Sequence, residues 1–83
     1  MDKILISLYV PSIDEKYDIN IPKFIVIDDL LTLLAHAVEN LSNGRYISSN
    51  SEILCLMDKN ILLYSDKHIE DYHIQNGDTL MML

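Results

Sequence analysis

Cysteine is almost absent, since Cys55 is the only one in 83 residues. A lone thiol cannot close an internal disulfide, and small secreted domains usually carry several bridges, so a reducing, cytoplasmic compartment is expected. Basic side chains are scarce as well. Six Lys and Arg against 13 Asp and Glu leave a net charge of −7, which repels a phosphate backbone or an anionic lipid surface and argues against nucleic-acid binding. Long apolar runs are missing too. The longest, Ile53–Met57, has five residues, whereas a membrane-spanning helix needs about 20; a soluble protein with no direct membrane insertion is expected. Met1 to Val10 carries one lysine and a short apolar stretch but no small-residue cleavage pattern after it, and reads as a strand rather than a signal peptide. Arginine, alanine and glycine are rare, limited to Arg45, Ala35, Ala37, Gly44 and Gly77, while isoleucine is abundant. AT-rich codon usage, as in a low-GC bacterium, produces such a bias.

The length allows one small domain, expected to span residues 1–83. A chain of this size buries only about 60–65% of the surface it exposes when unfolded, so it needs a high apolar fraction to fold without staples. The 49% hydrophobic content supplies it.

Along the chain the apolar period changes twice. Ile4, Ile6, Leu8 and Val10 alternate with Lys3, Leu5, Ser7 and Tyr9, which predicts a strand with one wholly apolar face. After a loop with Pro11, Ser12, Asp14 and Glu15, Tyr17, Ile19 and Ile21 alternate with Asp18 and Asn20 until Pro22, completing a hairpin. Ile27, Leu30, Leu31, Leu34, Val38 and Leu41 then recur at steps of three and four, one stripe of a helix over about 27–42. Asp29, Thr32, His36, Glu39 and Asn40 fill its polar side. Asp28 and Asp29 suit its positive end, and Asn43-Gly44 supplies a left-handed stop. Arg45 to Ser51 reads as a loop. Ser51–Met57 and Ile61–Tyr64, joined by Asp58-Lys59-Asn60, predict a second hairpin. Ser65–Gln75 is too polar for a core strand, although Ile69, Tyr72 and Ile74 can anchor a turn of 3-10 helix, and Asn76-Gly77-Asp78 leads into a last strand, Thr79–Leu83. The order is ββαββ, a short 3-10 turn, then β, which makes the fold class α+β.

The block His68-Ile-Glu-Asp-Tyr-His-Ile-Gln-Asn-Gly-Asp-Thr-Leu-Met-Met-Leu83 resembles the last third of ubiquitin and its relatives, with their Leu/Ile-x-Asp-Tyr-x-Ile, turn, then x-Leu-x-Leu pattern. The element order matches as well. The resemblance implies the ubiquitin-like β-grasp, a mixed sheet packed on one helix. Within that superfamily the chain looks most like the YukD/EsaB-type proteins associated with bacterial type VII secretion, on its length, Tyr17-Asp-Ile-Asn-Ile-Pro22, Ile27-x-x-Leu30 and the Gly77-Asp78-x-Leu80-x-x-Leu83 ending. Gly77 is expected at a positive backbone dihedral. Tyr72 is expected to bury its ring and bond its hydroxyl to the backbone of a neighbouring loop, because a buried phenol without a partner is costly.

Residues that carry chemistry are few. His36, His68 and His73, with Asp66 or Asp71, have no zinc-ligand spacing, so neither a metal nor any other cofactor is expected. Cys55 has no motif supplying a base or oxyanion hole and reads as a half-buried structural thiol. Asp14-Glu15 and Asp28-Asp29 are accounted for by a loop and a helix start. No catalytic residue is assigned, and the protein is expected not to be an enzyme. Conjugated ubiquitin and the sulfur carriers of this fold share a Gly-Gly carboxyl terminus; this chain ends Leu80-Met-Met-Leu83, which, if complete, leaves no group to activate.

The outer sheet face is more informative. If Ile4, Ile6, Leu8, Leu54, Leu56, Leu80 and Met82 face the helix, the opposite parity exposes Leu5, Ile53, Cys55, Met57, Met81 and Leu83. The resemblance implies that the first, third and last strands are neighbours, so these six are expected to form one apolar patch, in the region ubiquitin uses to bind partners. Flexible methionines among branched aliphatics suit a protein-binding surface. The expected function is therefore that of a non-conjugating accessory or regulator that docks on a cytoplasmic component of a type VII secretion machine, with a homodimer also compatible. The rival readings are a sulfur or modifier carrier lacking its Gly-Gly, and a stand-alone adaptor for an unrelated protein.

Overall fold

A computed structural model describes residues 3–83; positions 1 and 2 of the expected first strand and of the expected 1–83 domain lie outside the described residues. Strand β1 runs Lys3–Val10, where β-branched Ile4, Ile6 and Val10 suit a pleated, half-buried surface. Its even residues are buried and its odd ones open or half-open, the alternation expected from sequence. The loop is tighter than expected. Pro11–Ile13 form one 3-10 turn that ends in Asp14 at φ 51, with the Asp14 amide donating to the Pro11 carbonyl. An aspartate tolerates this left-handed position better than most residues. Strand β2, Glu15–Pro22, therefore starts two residues early and pairs with β1 along its full length, from Lys3 opposite Pro22 to Val10 opposite Glu15.

Helix α1 spans Ile27–Leu41 and buries Ile27, Leu30, Leu34, Ala35 and Val38. No side chain caps its start. The Ile27 and Asp28 amides instead donate to the carbonyls of Lys67 and Ser65 at 2.8 and 3.0 Å, so a distant loop satisfies donors that a helix start leaves open. Asn43 (φ 55) and Gly44 (φ 83) end the helix as expected, with the Gly44 amide returning to the Glu39 carbonyl. Leu41 departs from the stripe. It is 55% exposed although Val38 before it and Ser42 after it are buried, while Ala35 takes a buried place that the larger apolar residues had masked.

Strands β3 (Leu54–Leu56) and β4 (Ile61–Leu63) are shorter than expected, joined by a 3-10 turn over Met57–Lys59 that ends in Asn60 at φ 53. A further 3-10 turn, Ile69–Tyr72, precedes β5, Thr79–Met82. Gly77 stands at φ 91 in the turn before β5, where the Leu5 amide donates to Asn76 Oδ1 and the Gly77 amide to the Leu5 carbonyl. The sheet order is β2-β1-β5-β3-β4, with β1 and β5 parallel and every other neighbour antiparallel. One sheet face and α1 enclose the core of Ile6, Leu8, Ile21, Leu34, Leu54, Leu56, Ile69, Leu80 and Met82. At roughly 25 cal/mol per Å² of apolar area, this burial is the main favourable contribution to folding.

Candidate protein-interaction surface

With one sheet face turned to α1, the other carries the opposite parity of every strand. Register arranges it in rows. Tyr9 lies beside Met81, Met81 opposite Cys55, and Cys55 opposite Leu62. The next row is Leu83, Ile53 and Tyr64. Leu83 and Ile53 exchange both backbone hydrogen bonds at 2.9 Å, which extends the β3–β5 ladder one pair beyond β5, and Tyr64 follows β4 across from Ile53. On the far side of the central row, Met57 follows the Leu56–Leu80 pair and opens the 3-10 turn, which packs against β5. Ile53, Met57, Leu62, Tyr64 and Leu83 are exposed, and Tyr9, Cys55 and Met81 half-buried.

Five of the six residues singled out from sequence, Ile53, Cys55, Met57, Met81 and Leu83, thus adjoin one another. Leu5 does not join them. It is 45% exposed, but the parallel register sets Met81 beside Tyr9, four residues along β1 from Leu5, or about 13 Å at 3.3 Å per residue. Ser7 and Thr79, paired with each other, lie between. Parity predicted the correct face for Leu5, and the crossover connection decided its distance. Leu62 and Tyr64 were missed, although they are 43% and 59% exposed, as was Tyr9. In Ile61-Leu-Leu-Tyr64 every residue is apolar, so alternation gives no sign of which side faces out.

The rim is polar. The Tyr9 hydroxyl donates to Asp14 Oδ1 at 3.2 Å, and that bond, with the nearby carboxylate charge, raises the phenol's pKa. Ser7 Oγ donates to Asp18 Oδ1 at 2.9 Å. Lys16 lies opposite Tyr9, and Asp58 and Lys59 occupy the turn that carries Met57.

Elsewhere the polar groups act as braces. Tyr46 is buried, and its hydroxyl donates to Glu52 Oε2 at 2.7 Å; the same carboxylate accepts the Ser49 amide at 2.9 Å, while Glu39 accepts that of Ser48. Burial, then the bond to Glu52, pushes the Tyr46 phenol well above its ordinary 10.0. Burial alone would raise Glu52, but the donated bonds outweigh it and leave the carboxyl below its ordinary 4.5. This network holds the loop over 45–53 against α1. Beside it lies a cavity of about 120 Å³ lined by Asp28, Leu31, Thr32, His36 and Asn50 among others. The Tyr72 hydroxyl accepts the Tyr64 amide at 2.9 Å, the backbone bond expected of it, although its ring is half-buried rather than enclosed.

His36, His68 and His73 stand apart on α1, at the start of the 69–72 turn and at its end, and His68 Nδ1 is 3.9 Å from Asp71. Among the described residues no three His, Cys, Asp or Glu side chains converge as a metal site. The cross-strand neighbours of Cys55 are Met81 and Leu62, and neither can take a proton from a thiol. Among the described residues no helix is long and apolar enough to cross a membrane. What the outer face can do is exclude water from a complementary apolar surface, with adaptable thioethers at its centre.

No protein-family model and no curated protein matches the sequence. Solved structures do. The ubiquitin-like domain of the Arabidopsis thaliana protein At2g32350 is 18% identical with a TM-score of 0.74, covering 100% of this chain and 78% of that one. The UBL domain of Plasmodium falciparum Dsk2 is 18% identical at 0.71, covering 98% and 99%, and the EccD5 ubiquitin-like domain from Mycobacterium xenopi is 16% identical at 0.69, covering 100% and 94%. At such identities the likeness establishes the fold, which is the ubiquitin-like β-grasp of class α+β.

Proposed function

We propose that the chain is a non-covalent ubiquitin-like interaction module, an accessory or regulator of a bacterial type VII secretion machine that docks on one of its cytoplasmic proteins. The observation that carries the docking half is the contiguous apolar surface of Tyr9, Ile53, Cys55, Met57, Leu62, Met81 and Leu83 on an otherwise acidic molecule. Monomers rarely leave such a patch open without a use for it. The secretion half is supported by the resemblance of Tyr17–Pro22, Ile27-x-x-Leu30 and Gly77–Leu83 to the YukD/EsaB-type proteins. The fold likeness to a mycobacterial ubiquitin-like domain agrees with it. A partner with an apolar face and a basic rim fits the surface, since the net charge of −7 favours cationic encounter.

The test is affinity purification of the tagged chain from detergent-solubilised cells of its own source, with wild type beside Met81→Asp and, as a surface control, Asp29→Ala. Secretion-machine proteins should accompany wild type and the control and be lost with Met81→Asp. Their retention by Met81→Asp would discard the patch, and a captured set without any such protein would discard the secretion assignment.

A further inference from the structure

The edge of the sheet carries a second surface, independent of the apolar patch. Strand β2 ends the sheet and is eight residues long. The Ser7 amide donates to Asp78 and the Leu5 carbonyl accepts Gly77, so odd residues of β1 turn their backbone groups to β5 and even ones to β2. By the register, Glu15, Tyr17, Ile19 and Ile21 answer those even residues. Lys16, Asp18 and Asn20 are left with amides and carbonyls along the open edge. Pro22 closes the edge at one end because it has no amide hydrogen. Their side chains are exposed, and Lys16 makes no ion pair among the described residues.

The charges along this edge are not symmetric, and that selects a register. Two copies meeting antiparallel about a two-fold axis at Tyr17 would set Lys16 of each against Asp18 of the other, twice, with both pairs in hydrogen-bonding position. Shifting the axis to Asp18 opposes two carboxylates, and shifting it to Lys16 opposes two ammonium groups, which is unfavourable for directly facing residues. On the helix side, the half-buried Tyr17 rings meet at the axis, next to Ile19. The flank of α1 carrying Leu33, Ala37 and Leu41 lies opposite the flank of Asp28, Thr32 and Glu39 that faces the 48–52 loop. Leu33 and Leu41 are exposed there.

We propose that the β2 edge is a self-association site, which pairs Lys16 of one copy with Asp18 of another and joins two sheets into one of ten strands. The occupant is a second copy of this chain because its own charge pattern complements itself in one register only. The isologous geometry turns both outer faces to the same side, with the two β5 strands about 24 Å apart at 4.8 Å per strand. The association is weak and salt-sensitive, resting on four backbone bonds and two exposed ion pairs.

Sedimentation equilibrium of the full chain from about 10 µM to 1 mM tests it. A monomer–dimer equilibrium is expected, with Lys16→Glu or Asp18→Lys each weakening it at least about tenfold and the double swap restoring it to within about threefold. Circular dichroism checks that every variant is folded. A monomer throughout that range overturns the proposal and leaves the edge to a foreign strand. Dimers indifferent to the single swaps, or folded double-swap protein that stays monomeric, overturn it as well.

Discussion

Aspartate at position 82 should unfold the protein, and aspartate at position 81 should not. Met82 is buried opposite Leu54, beneath α1, whereas Met81 stands half-open between Tyr9 and Cys55. Removing a buried side chain of this size costs about 2–5 kcal/mol in cavity and transfer terms. An unpaired carboxylate in the same place adds several more unless it stays protonated. At about 0.05–0.15 kcal/mol per residue, 83 residues give a total stability of about 4–12 kcal/mol, so Met82→Asp consumes most or all of it. Met81→Asp loses two cross-strand contacts worth about 0.2–1 kcal/mol each. In urea melts followed by circular dichroism, with a slope near 1 kcal/mol per molar, the Met81 variant should shift its midpoint by less than about 2 M and the Met82 variant should show no transition or a midpoint lower by more than about 3 M. Equal shifts, or a folded Met82→Asp beside an unfolded Met81→Asp, would invert the face assigned to β5 and with it the interaction surface.

Leu34→Ala should cost about 2–5 kcal/mol and Leu41→Ala under about 0.5, although both belong to one sequence stripe, and comparable urea midpoints for the two would contradict the burial of the one and the exposure of the other. Gly77→Ala should cost about 1–2 kcal/mol purely from its φ of 91, since a Cβ there would meet nothing within 4 Å; a neutral result would mean the turn adopts another conformation. The Tyr46–Glu52 brace sets stability at both ends of the pH scale. The lowered Glu52 carboxyl contributes above its ordinary 4.5 and loses that contribution as pH falls through its folded value. The raised Tyr46 phenol contributes below its ordinary 10.0 and loses it as pH rises. Tyr46→Phe should therefore lower the plateau by about 1–2 kcal/mol and flatten both flanks of the stability profile; unchanged flanks would assign the pH dependence elsewhere.

Strand and helix positions were legible wherever burial imposes a clean period, as in Ile4–Val10 and Ile27–Val38. The β1 alternation survives because a one-residue slip would expose its whole apolar set. Places fixed by distant partners were not legible. Tyr46 is held by Glu52 and Ser42 across a stretch with no period at all, and the start of α1 is completed by carbonyls nearly forty positions away. The outer surface was half legible for the same reason. Parity gave its face, but membership depends on how far each residue sits along a strand whose neighbour arrives from the opposite end of the chain. Leu5 was therefore included and Leu62 overlooked.

The parallel pairing of β1 with β5 also governs when the molecule can exist. The last strand lies between the first and the third, so until Thr79–Met82 emerges from the ribosome the hairpin of residues 3–22 and the helix have a gap where the middle of the sheet belongs. Two apolar edges stay open during that interval, and the contact that closes them spans over seventy residues, the kind of distant pairing that slows folding and invites misassembly. The last of these strands to be made is thus the keystone of the sheet, and a fragment cut before Gly77 should be rescued by a free peptide carrying β5.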